Sequence, residues 1–339
     1  MSKVRFYIAM AAAKTAHRLL RLCGRAATHT PGAVATKLCP DFLRYLQKPE
    51  TLICVTGTDG KTTVSNLLAT VLQNNGYTVT NNSYGSNICE GVVSALLTDA
   101  TFSGKPKKQV GVLEVDERSS LKVYKYLTPD ILICNNIMRD SLKRNAHTEF
   151  ICYILNKQLP SSTKVVLNAD DLICSGLFPN NKDRTYFGVS ADRPENGAAT
   201  DEALRDIVYC PKCGAKLETE YVRYNHIGRH HCSSCGFASP KPDYDVTAIN
   251  REKGTFTVTH NGVDEEYKIV NDNIINIYNS CAVISVLHTF GLDYEKIHNA
   301  FETVKIVSSR FDIKKVGDYT IIGQLAKGQN PVACAMAYR

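Results

Sequence analysis

The stretch of residues 51–64 constrains the fold most strongly, because a buried strand, a glycine turn and a helix follow one another directly. Residues 52–55 form a short apolar run, and the residues after the turn repeat apolar side chains at helical spacing. The turn contains Gly57 and Gly60. Backbone N–H groups and the positive end of the helix dipole at such a turn point at an anion. The stretch therefore predicts a phosphate site.

The turn reads T-G-T-D-G-K-T-T, which assigns chemistry to individual side chains. Lys61 can reach the terminal phosphates of a nucleotide, and the Thr62 hydroxyl can bind Mg²⁺. The pattern is shorter than G-x-x-x-x-G-K-[ST], because its first position is Val55. A plain glycine turn is the alternative, which the amphipathic helix that begins at the turn disfavours. The predicted nucleotide-binding residues are Gly57, Thr58, Asp59, Gly60, Lys61, Thr62 and Thr63.

Strand and helix patterns alternate through residues 50–205, which predicts an α/β domain with a doubly wound, mostly parallel sheet. Ligands of such sheets bind beyond the carboxyl ends of the strands, so the end of each strand is examined for polar residues. The predicted strands are Leu52–Val55, Tyr77–Thr80, Val110–Val115, Ile131–Asn135, Lys164–Leu167 and Thr185–Gly188.

Three of these strand ends carry side chains that suit a nucleotide or a cation. Glu114 ends one strand, and a carboxylate there can ligate Mg²⁺ opposite Thr62, directly or through water. Glu117 is the second candidate for the same ion, and a solvated acidic loop is the alternative. Asn136 and Asn168 follow the next two strands and are candidates for positioning the nucleotide, unless they only bond their own loops.

Two C-x₂-C pairs separated by eighteen residues predict a closed tetrahedral zinc site in a ribbon over residues 206–240. Four thiolates leave no open coordination position, which favours a structural role over catalysis. A redox dithiol is the alternative. We expect the nearby His226, His230 and His231 at the surface rather than on the metal. The predicted ligands are Cys210, Cys213, Cys232 and Cys235.

The second half of the chain predicts a hairpin that turns at Asn261-Gly262, then a helix with a polar start and an apolar face. Asn276 and Asn279 lie at that polar start and are candidates for the nucleotide cleft, although Asn276 could instead cap the helix. We divide the chain into a helical segment (1–48, broken at residues 30–32), an ATP-binding central domain (49–307) and the beginning of a C-terminal α/β domain (308–339).

Composition narrows the location and the partners. Thirteen cysteines, an odd number scattered mostly in apolar segments, are typical of a reduced cytoplasmic protein. The net charge of +7 comes without a run of like charges, which disfavours nucleic acid as a partner. The apolar stretch at residues 6–13 is too short to span a bilayer, so membrane contact at the inner face would be peripheral at most.

Taken together, these motifs resemble the MurT family of Mur-ligase-like subunits of lipid II isoglutaminyl synthase. The resemblance implies that ATP phosphorylates the α-carboxylate of D-glutamate in the lipid II stem peptide. Ammonia from a GatD-type glutamine amidotransferase partner then attacks the acyl phosphate. It also implies catalytic roles for Lys61 and Glu114 and a nucleotide contact for Arg310. The residues that carry it are 56–63, 114–117, 136, 139–140, 167–171, 276–279, 310 and 327–331, together with the four-cysteine ribbon.

The chain departs from that family at two places. The segment after Arg139-Asp140 differs from the family pattern, which weakens a second-cation or substrate role for this loop. The family also has a complete C-terminal domain with a catalytic aspartate, whereas this sequence ends at Arg339, so we expect a truncated domain and impaired amidation. Two other functions stay open, namely a Mur-type ligase that adds an amino acid and a non-catalytic nucleotide- or zinc-binding interaction module.

Overall fold

The computed structural model describes residues 3–82, 86–139, 147–194, 207–304, 311–317 and 319–324. The α-helices of this part of the chain are α1 (Lys3–Leu22), α2 (Thr30–Leu38), α3 (Lys61–Asn74), α4 (Cys89–Thr98), α5 (Ser120–Val123), α6 (Thr148–Asn156), α7 (Ile274–Phe290) and α8 (Tyr294–Thr303). Short 3₁₀ helices cover Phe42–Tyr45 and Cys174–Gly176.

The first strands are β1 (Thr51–Thr56), β2 (Val79–Asn81), β3 (Val110–Glu114), β4 (Ile131–Cys134), β5 (Lys164–Asn168) and β6 (Arg184–Val189). They confirm the six predicted strands to within two residues at each end. Beyond them lie β7 (Glu218–Tyr224), β8 (Ile227–His231), β9 (Tyr244–Asn250), β10 (Thr255–His260), β11 (Val263–Lys268), β12 (Phe311–Val316) and β13 (Tyr319–Gln324).

The strands build a nine-stranded sheet in the order β11-β10-β9-β6-β5-β4-β1-β3-β2. Within this sheet the strands from β2 through β1, β5 and β6 to β9 pair in parallel, and β10 pairs antiparallel with β9 and β11. The pairs β7–β8 and β12–β13 form separate antiparallel sheets. The predicted α/β fold with a doubly wound, mostly parallel sheet is therefore confirmed. The sequence reading missed β9, which joins the Asn261-Gly262 hairpin to the main sheet.

Strand β1 lies inside the sheet between β4 and β3 and is buried on both faces, which explains its continuous apolar sequence. Successive side chains point to opposite faces. Ile53 and Val55 therefore pack into the cluster that contains α3 and α7, whereas Leu52 and Cys54 pack into the cluster that contains α1 and α4. Helices on both faces thus fix the strand whose carboxyl end opens into the glycine turn.

The N-terminal segment packs on the face that carries α4. Helix α2 begins at Thr30, so the predicted break at residues 30–32 is wrong. Pro31 lies in the first helical turn, where a missing N–H costs nothing. Gly32 faces α4 so closely that a Cβ atom there would overlap the Glu90 carbonyl oxygen, and its N–H donates to the Ser94 hydroxyl at 2.7 Å.

This close approach makes a testable prediction. We expect Gly32→Ala to lower the free energy of unfolding by about 1–3 kcal/mol, because the added methyl group forces α2 away from α4. Urea denaturation measures the difference. Gly176→Ala is the matched control, since a Cβ atom at Gly176 meets no atom within 4 Å. Equal stability of the two variants would contradict the packing described here.

Candidate functional site

The glycine turn after β1 has a backbone that only glycine adopts without strain at two positions. Gly57 has φ 123° and Gly60, the residue that caps α3, has φ 81°. Space is limited as well. A Cβ atom at Gly57 would lie 2.9 Å from the Asn136 carbonyl oxygen, and one at Gly60 would overlap the side-chain oxygen of Asn279. The turn therefore fits against two other elements, the end of β4 and the start of α7.

Residues after β4 hold the turn in place. The Thr58 N–H donates to the Asn136 carbonyl at 2.9 Å, and the Asp59 N–H donates to the Asn136 side chain at 2.9 Å. The Thr58 hydroxyl accepts from the Met138 N–H at 2.8 Å. Asn136 is buried and uses its amide to shape the turn. A direct contact from Asn136 to a nucleotide stays a prediction.

Asn168, at the end of β5, contacts the segment that follows β4. Its amide donates to the Asn135 carbonyl at 3.0 Å and accepts from the Asp170 N–H at 2.9 Å, and the side chain is buried. Asn168 thus supports the end of β4 rather than the turn itself. Its predicted contact with a nucleotide is untested.

Acidic residues from the end of β3 surround the first residues of α3. The Lys61 ammonium contacts Glu117 at 3.0 Å and donates to the Thr58 and Gly57 carbonyls. The Thr62 hydroxyl donates to Glu114 at 2.8 Å, and all the carboxylates here, including that of Asp116, are buried. Three carboxylates against one ammonium leave a formal charge of −2, an arrangement that suits a divalent cation.

Lys61 stays protonated in this site. Burial alone lowers the pKa of an ammonium group, but Glu117 and Glu114 outweigh that effect, so the pKa of Lys61 is raised. Glu114 is fixed from two sides. Asn87 donates to its carboxylate at 2.9 Å, and the Asn82 side chain bonds both its N–H and its carbonyl at 2.8 Å. The carboxylate is therefore held facing Thr62.

Helix α7 brings one of its predicted residues to the turn. The side-chain oxygen of Asn279 lies beside Gly60, and its amide donates to Asn276 at 3.3 Å. Capping of the helix by Asn276 is wrong, because Asn273 is the capping residue and accepts from the Ile275 N–H at 2.9 Å. Arg310 lies outside the described residues, as does the loop that follows Arg139.

The four cysteines of the ribbon converge as predicted. Their sulfur atoms all lie within 4.8 Å of one another, with 3.6 Å between Cys210 and Cys235 and 3.6 Å between Cys213 and Cys232. A tetrahedral metal with bonds of about 2.3 Å to sulfur separates its ligands by roughly 3.8 Å. The cluster therefore has the size and the donor set to hold a metal ion.

The ribbon is tied to the sheet close to the glycine turn. Its hairpin, β7 and β8, places His226 Nε2 3.0 Å from the Asp171 carboxylate, whose other oxygen accepts from the Ile137 N–H at 2.7 Å. Arg229 contacts Asp170 at 3.3 Å, and the Tyr278 hydroxyl of α7 donates to the same carboxylate at 2.7 Å. The ribbon, α7 and the end of β4 therefore form one connected network.

This network corrects the prediction for the histidines. His226 and His230 are buried, at 1% and 3% exposure, and His231 is half-buried, so a surface position is wrong for the first two. Sequence reasoning also missed the part played by Asp170 and Asp171. Two adjacent aspartates after an apolar strand were the available signal, but spacing alone gives no indication that they bond the ribbon.

Comparison with known proteins places these features in a family. Residues 55–233 match the model of the Mur ligase middle domain. MurT, a subunit of the glutamine-hydrolysing lipid II isoglutaminyl synthase of Staphylococcus aureus (strain COL), is 32% identical over 302 residues, which are 88% of this chain and 67% of the relative. MurT of Streptococcus pneumoniae (strain ATCC BAA-255 / R6) is 29% identical over 337 residues, 97% of this chain and 72% of the relative.

Solved structures agree on the fold. A pseudomurein peptide ligase type C from Methanothermus fervidus superposes with a TM-score of 0.65 at 26% identity, over 85% of this chain and 56% of that one. MurF from Acinetobacter baumannii gives a TM-score of 0.60 at 14% identity, over 90% of this chain and 56% of that one, which supports the fold alone. The chain thus spans little more than half the length of these solved relatives.

The four-cysteine cluster is tested by metal analysis. We expect the purified chain to carry about one ion per molecule and Cys213→Ser to carry almost none, because a closed site cannot lose one of four thiolates without losing affinity. Inductively coupled plasma mass spectrometry measures the content. Cys23→Ser is the control, since Cys23 is exposed and lies outside the cluster. Equal metal content in the two variants would show that the cluster is not the binding site.

Proposed function

This chain belongs to the Mur ligase family and, within it, to the MurT proteins, and we propose that it is an ATP-dependent carbon–nitrogen ligase subunit of peptidoglycan synthesis. The finer proposal is amidation of the α-carboxylate of D-glutamate in the lipid II stem peptide. The observation that carries the ligase proposal is the juxtaposition of Lys61, Thr62 and Glu114 at the start of α3, where the lysine and the glutamate are buried. The activity, the substrate and the partner are all part of the proposal.

The proposal assigns ATP to the turn of residues 57–63. Helix α3 begins at Lys61, so its first N–H groups and its dipole favour the terminal phosphates. The Lys61 ammonium would leave the carbonyls of the turn and follow the transferred phosphoryl group, whose charge it offsets. Asn279 lies beside Gly60, which supports it as our candidate for a nucleotide contact from α7.

We assign Mg²⁺ to Thr62 and Glu114. Their oxygen atoms are 2.8 Å apart, and both are hard ligands of the kind that Mg²⁺ prefers. Held by these two residues, the ion would offset the charge of the terminal phosphates. Glu117 is paired with Lys61 instead, so its assigned role is to hold that ammonium. This arrangement favours Glu114 over Glu117 as the ligand.

Two matched substitutions separate these roles. We expect Glu114→Gln to raise the Mg²⁺ concentration needed for half-maximal nucleotide binding by at least about tenfold, because a charged ligand of the ion is lost. Glu117→Gln should leave that concentration within about threefold, since it removes a partner of Lys61 rather than a ligand. Calorimetric titration of nucleotide at several Mg²⁺ concentrations measures both. The reverse order of effects would transfer the metal role to Glu117.

The proposed reaction has two steps, which are phosphorylation of the carboxylate and displacement of the phosphate by ammonia. A carboxylate oxygen of the substrate attacks the γ-phosphorus of ATP, ADP leaves, and an acyl phosphate forms. Ammonia attacks the acyl carbon, inorganic phosphate leaves with the bonding electron pair, and the ammonium proton passes to solvent or a base. Both steps require exclusion of water from the acyl phosphate.

The ammonia is assigned to a glutaminase partner of the GatD type. The named relatives are subunits of a glutamine-hydrolysing synthase. Within the described part of this chain, core cysteines are poor nucleophiles, because burial raises the pKa of Cys54 and that of Cys152 to about 12. These thiols stay protonated at neutral pH, which supports a separate subunit as the site of glutamine hydrolysis.

For the four-cysteine cluster we propose a structural zinc ion. Four thiolates fill a tetrahedral shell and leave no position for a substrate. The ion would hold together the open end of the β7–β8 hairpin, whereas Asp171 and Asp170 bond His226 at its turn and Arg229 within β8. Its assigned part is therefore to stabilise the wall behind the phosphate turn, with no step of the reaction on the metal.

The activity is tested with the purified chain, ATP, Mg²⁺, a lipid II-type substrate and ammonium chloride. We expect phosphate release that needs both substrate and ammonium, and a product in which mass spectrometry finds one carboxamide in place of a carboxylate. Glutamine should replace ammonium when a GatD-type subunit is added. Lys61→Ala should abolish release, whereas Lys164→Ala, an exposed lysine of β5, should not.

Other outcomes point to other functions. Turnover with amino acids in place of ammonia would identify an amino-acid ligase. Nucleotide binding with no turnover on any of these nucleophiles, with the GatD-type subunit present, would overturn the proposal and leave an interaction module.

A further inference from the structure

Helix α1 has one apolar face that is fully accounted for by the fold. Phe6, Met10 and Ala13 on that face are buried, and the Phe6 ring lies 4.9 Å from the ring of Phe42, centroid to centroid. The Lys14 ammonium donates to the carbonyls of Leu97 and Ala100 at 2.8 and 2.7 Å, at the carboxyl end of α4. The helix is therefore firmly attached to the domain along this face.

The opposite face of α1 is also apolar, but it is exposed. Its large side chains recur along one side of the helix and have high exposed fractions: Val4 64%, Tyr7 47%, Ile8 59%, Leu19 56% and Leu22 83%. A surface helix normally presents polar residues on the side away from the core. Scattered single apolar residues need no explanation, but a stripe along one helix marks an interaction surface.

The net positive charge of the protein is concentrated in the part of the chain that contains this stripe. Residues 1–40 contain seven lysines and arginines and no aspartate or glutamate, whereas the remaining residues contain 33 of each sign. The whole formal excess of +7 therefore belongs to residues 1–40. Lys3, Arg18 and Arg21 are exposed on α1 itself, next to the apolar stripe.

We propose that α1 docks this domain onto the surface of an anionic lipid bilayer. The stripe would lie in the boundary between headgroups and acyl chains, while the flanking cations contact lipid phosphates. The helix would lie in the plane of the membrane, because its other face is bound to the domain. Among the helices of the described residues, none is long and apolar enough to cross a bilayer.

Lipid is favoured over two other occupants. Nucleic acid would engage the cations, but it offers nothing to bury Ile8, Leu19 or Leu22. A second copy of the chain would cover the apolar stripe, but it would bring two clusters of positive charge together. An anionic lipid surface can take up the apolar side chains of the stripe and also bind the cations beside it.

The sequence contains no tryptophan, so a single introduced indole reports on the contact. We expect the emission of Ile8→Trp to shift to shorter wavelength on addition of vesicles with about one third phosphatidylglycerol, and much less with pure phosphatidylcholine. Val263→Trp, an equally exposed apolar position in β11, is the control and should not respond to either vesicle.

Two charge variants test the stripe without removing packing. Leu19→Glu, at an exposed position, should reduce sedimentation with anionic vesicles at least about tenfold, and Arg18→Glu combined with Arg21→Glu should do the same. Val263→Glu should bind as the wild type does. Circular dichroism checks that α1 stays folded, and raising the salt to about 0.5 M should weaken binding by screening.

Several results would overturn the inference. One is an Ile8→Trp emission that does not shift, and another is equal binding to neutral and anionic vesicles. A third is wild-type binding by Leu19→Glu. A dimer in sedimentation velocity that buries the stripe, or tighter binding to DNA than to vesicles, would also overturn it. The inference goes beyond the proposed ligase activity and is tested apart from it. Vesicle binding without turnover, or turnover without vesicle binding, identifies which of the two has failed.

Discussion

The fixed contact between the glycine turn and the end of β4 is the constraint on which the rest of this structure depends. Asn136 bonds the backbone of Thr58 and Asp59 with both its main chain and its side chain, and a side chain at Gly57 would break that contact. Hydrogen bonds within the protein therefore fix the shape of the turn. A site formed in advance spends less binding energy on ordering itself. The first turn of α3 then places Lys61 and Thr62 against the buried carboxylates of Glu117 and Glu114 at the end of β3.

The same contact explains why a small metal-binding ribbon lies within the central domain. Asp171 accepts from the Ile137 N–H on one side and bonds His226 of the ribbon on the other. The segment that holds the turn is thus supported from behind by the ribbon. A buried carboxylate destabilises the fold unless its oxygens are hydrogen-bonded. The end of β4 and the ribbon each supply one of the hydrogen bonds to Asp171. Removing the metal should therefore destabilise the glycine turn as well as the ribbon.

Much of the fold and part of the site follow from local sequence. The strand β1, the glycine turn and the start of α3 are adjacent in the chain, and Asn261-Gly262 dictates its hairpin, with φ of 51° and 78° at the two positions. The four cysteines need only the right spacing in two short knuckles. These features are specified within about twenty residues, and periodicity, turn chemistry and ligand spacing are sufficient to predict them.

What the sequence did not predict depends on contacts between distant segments. His226 is buried with its ring nitrogen against the carboxylate of Asp171, 55 residues away, and nothing local to His226 indicates this contact. Strand β9 has an exposed, polar end, which weakens its alternating apolar pattern. Asn273 rather than Asn276 caps α7, because the extended backbone ends at Asn273 and the helix begins at Ile274. Likewise, the exposed stripe of α1 emerges only once its other face is packed on the domain.

The central claim is that the turn of residues 57–63 and the carboxylate of Glu114 form one nucleotide and cation site. The most direct measurement is a crystal structure of the chain with a non-hydrolysable ATP analogue and Mn²⁺, with the ion located by anomalous scattering. The account predicts the terminal phosphates on the backbone N–H groups of the turn, and an anomalous peak within coordination distance of Thr62 Oγ1 and Glu114. A nucleotide bound elsewhere, or an ion held without Glu114, would contradict it.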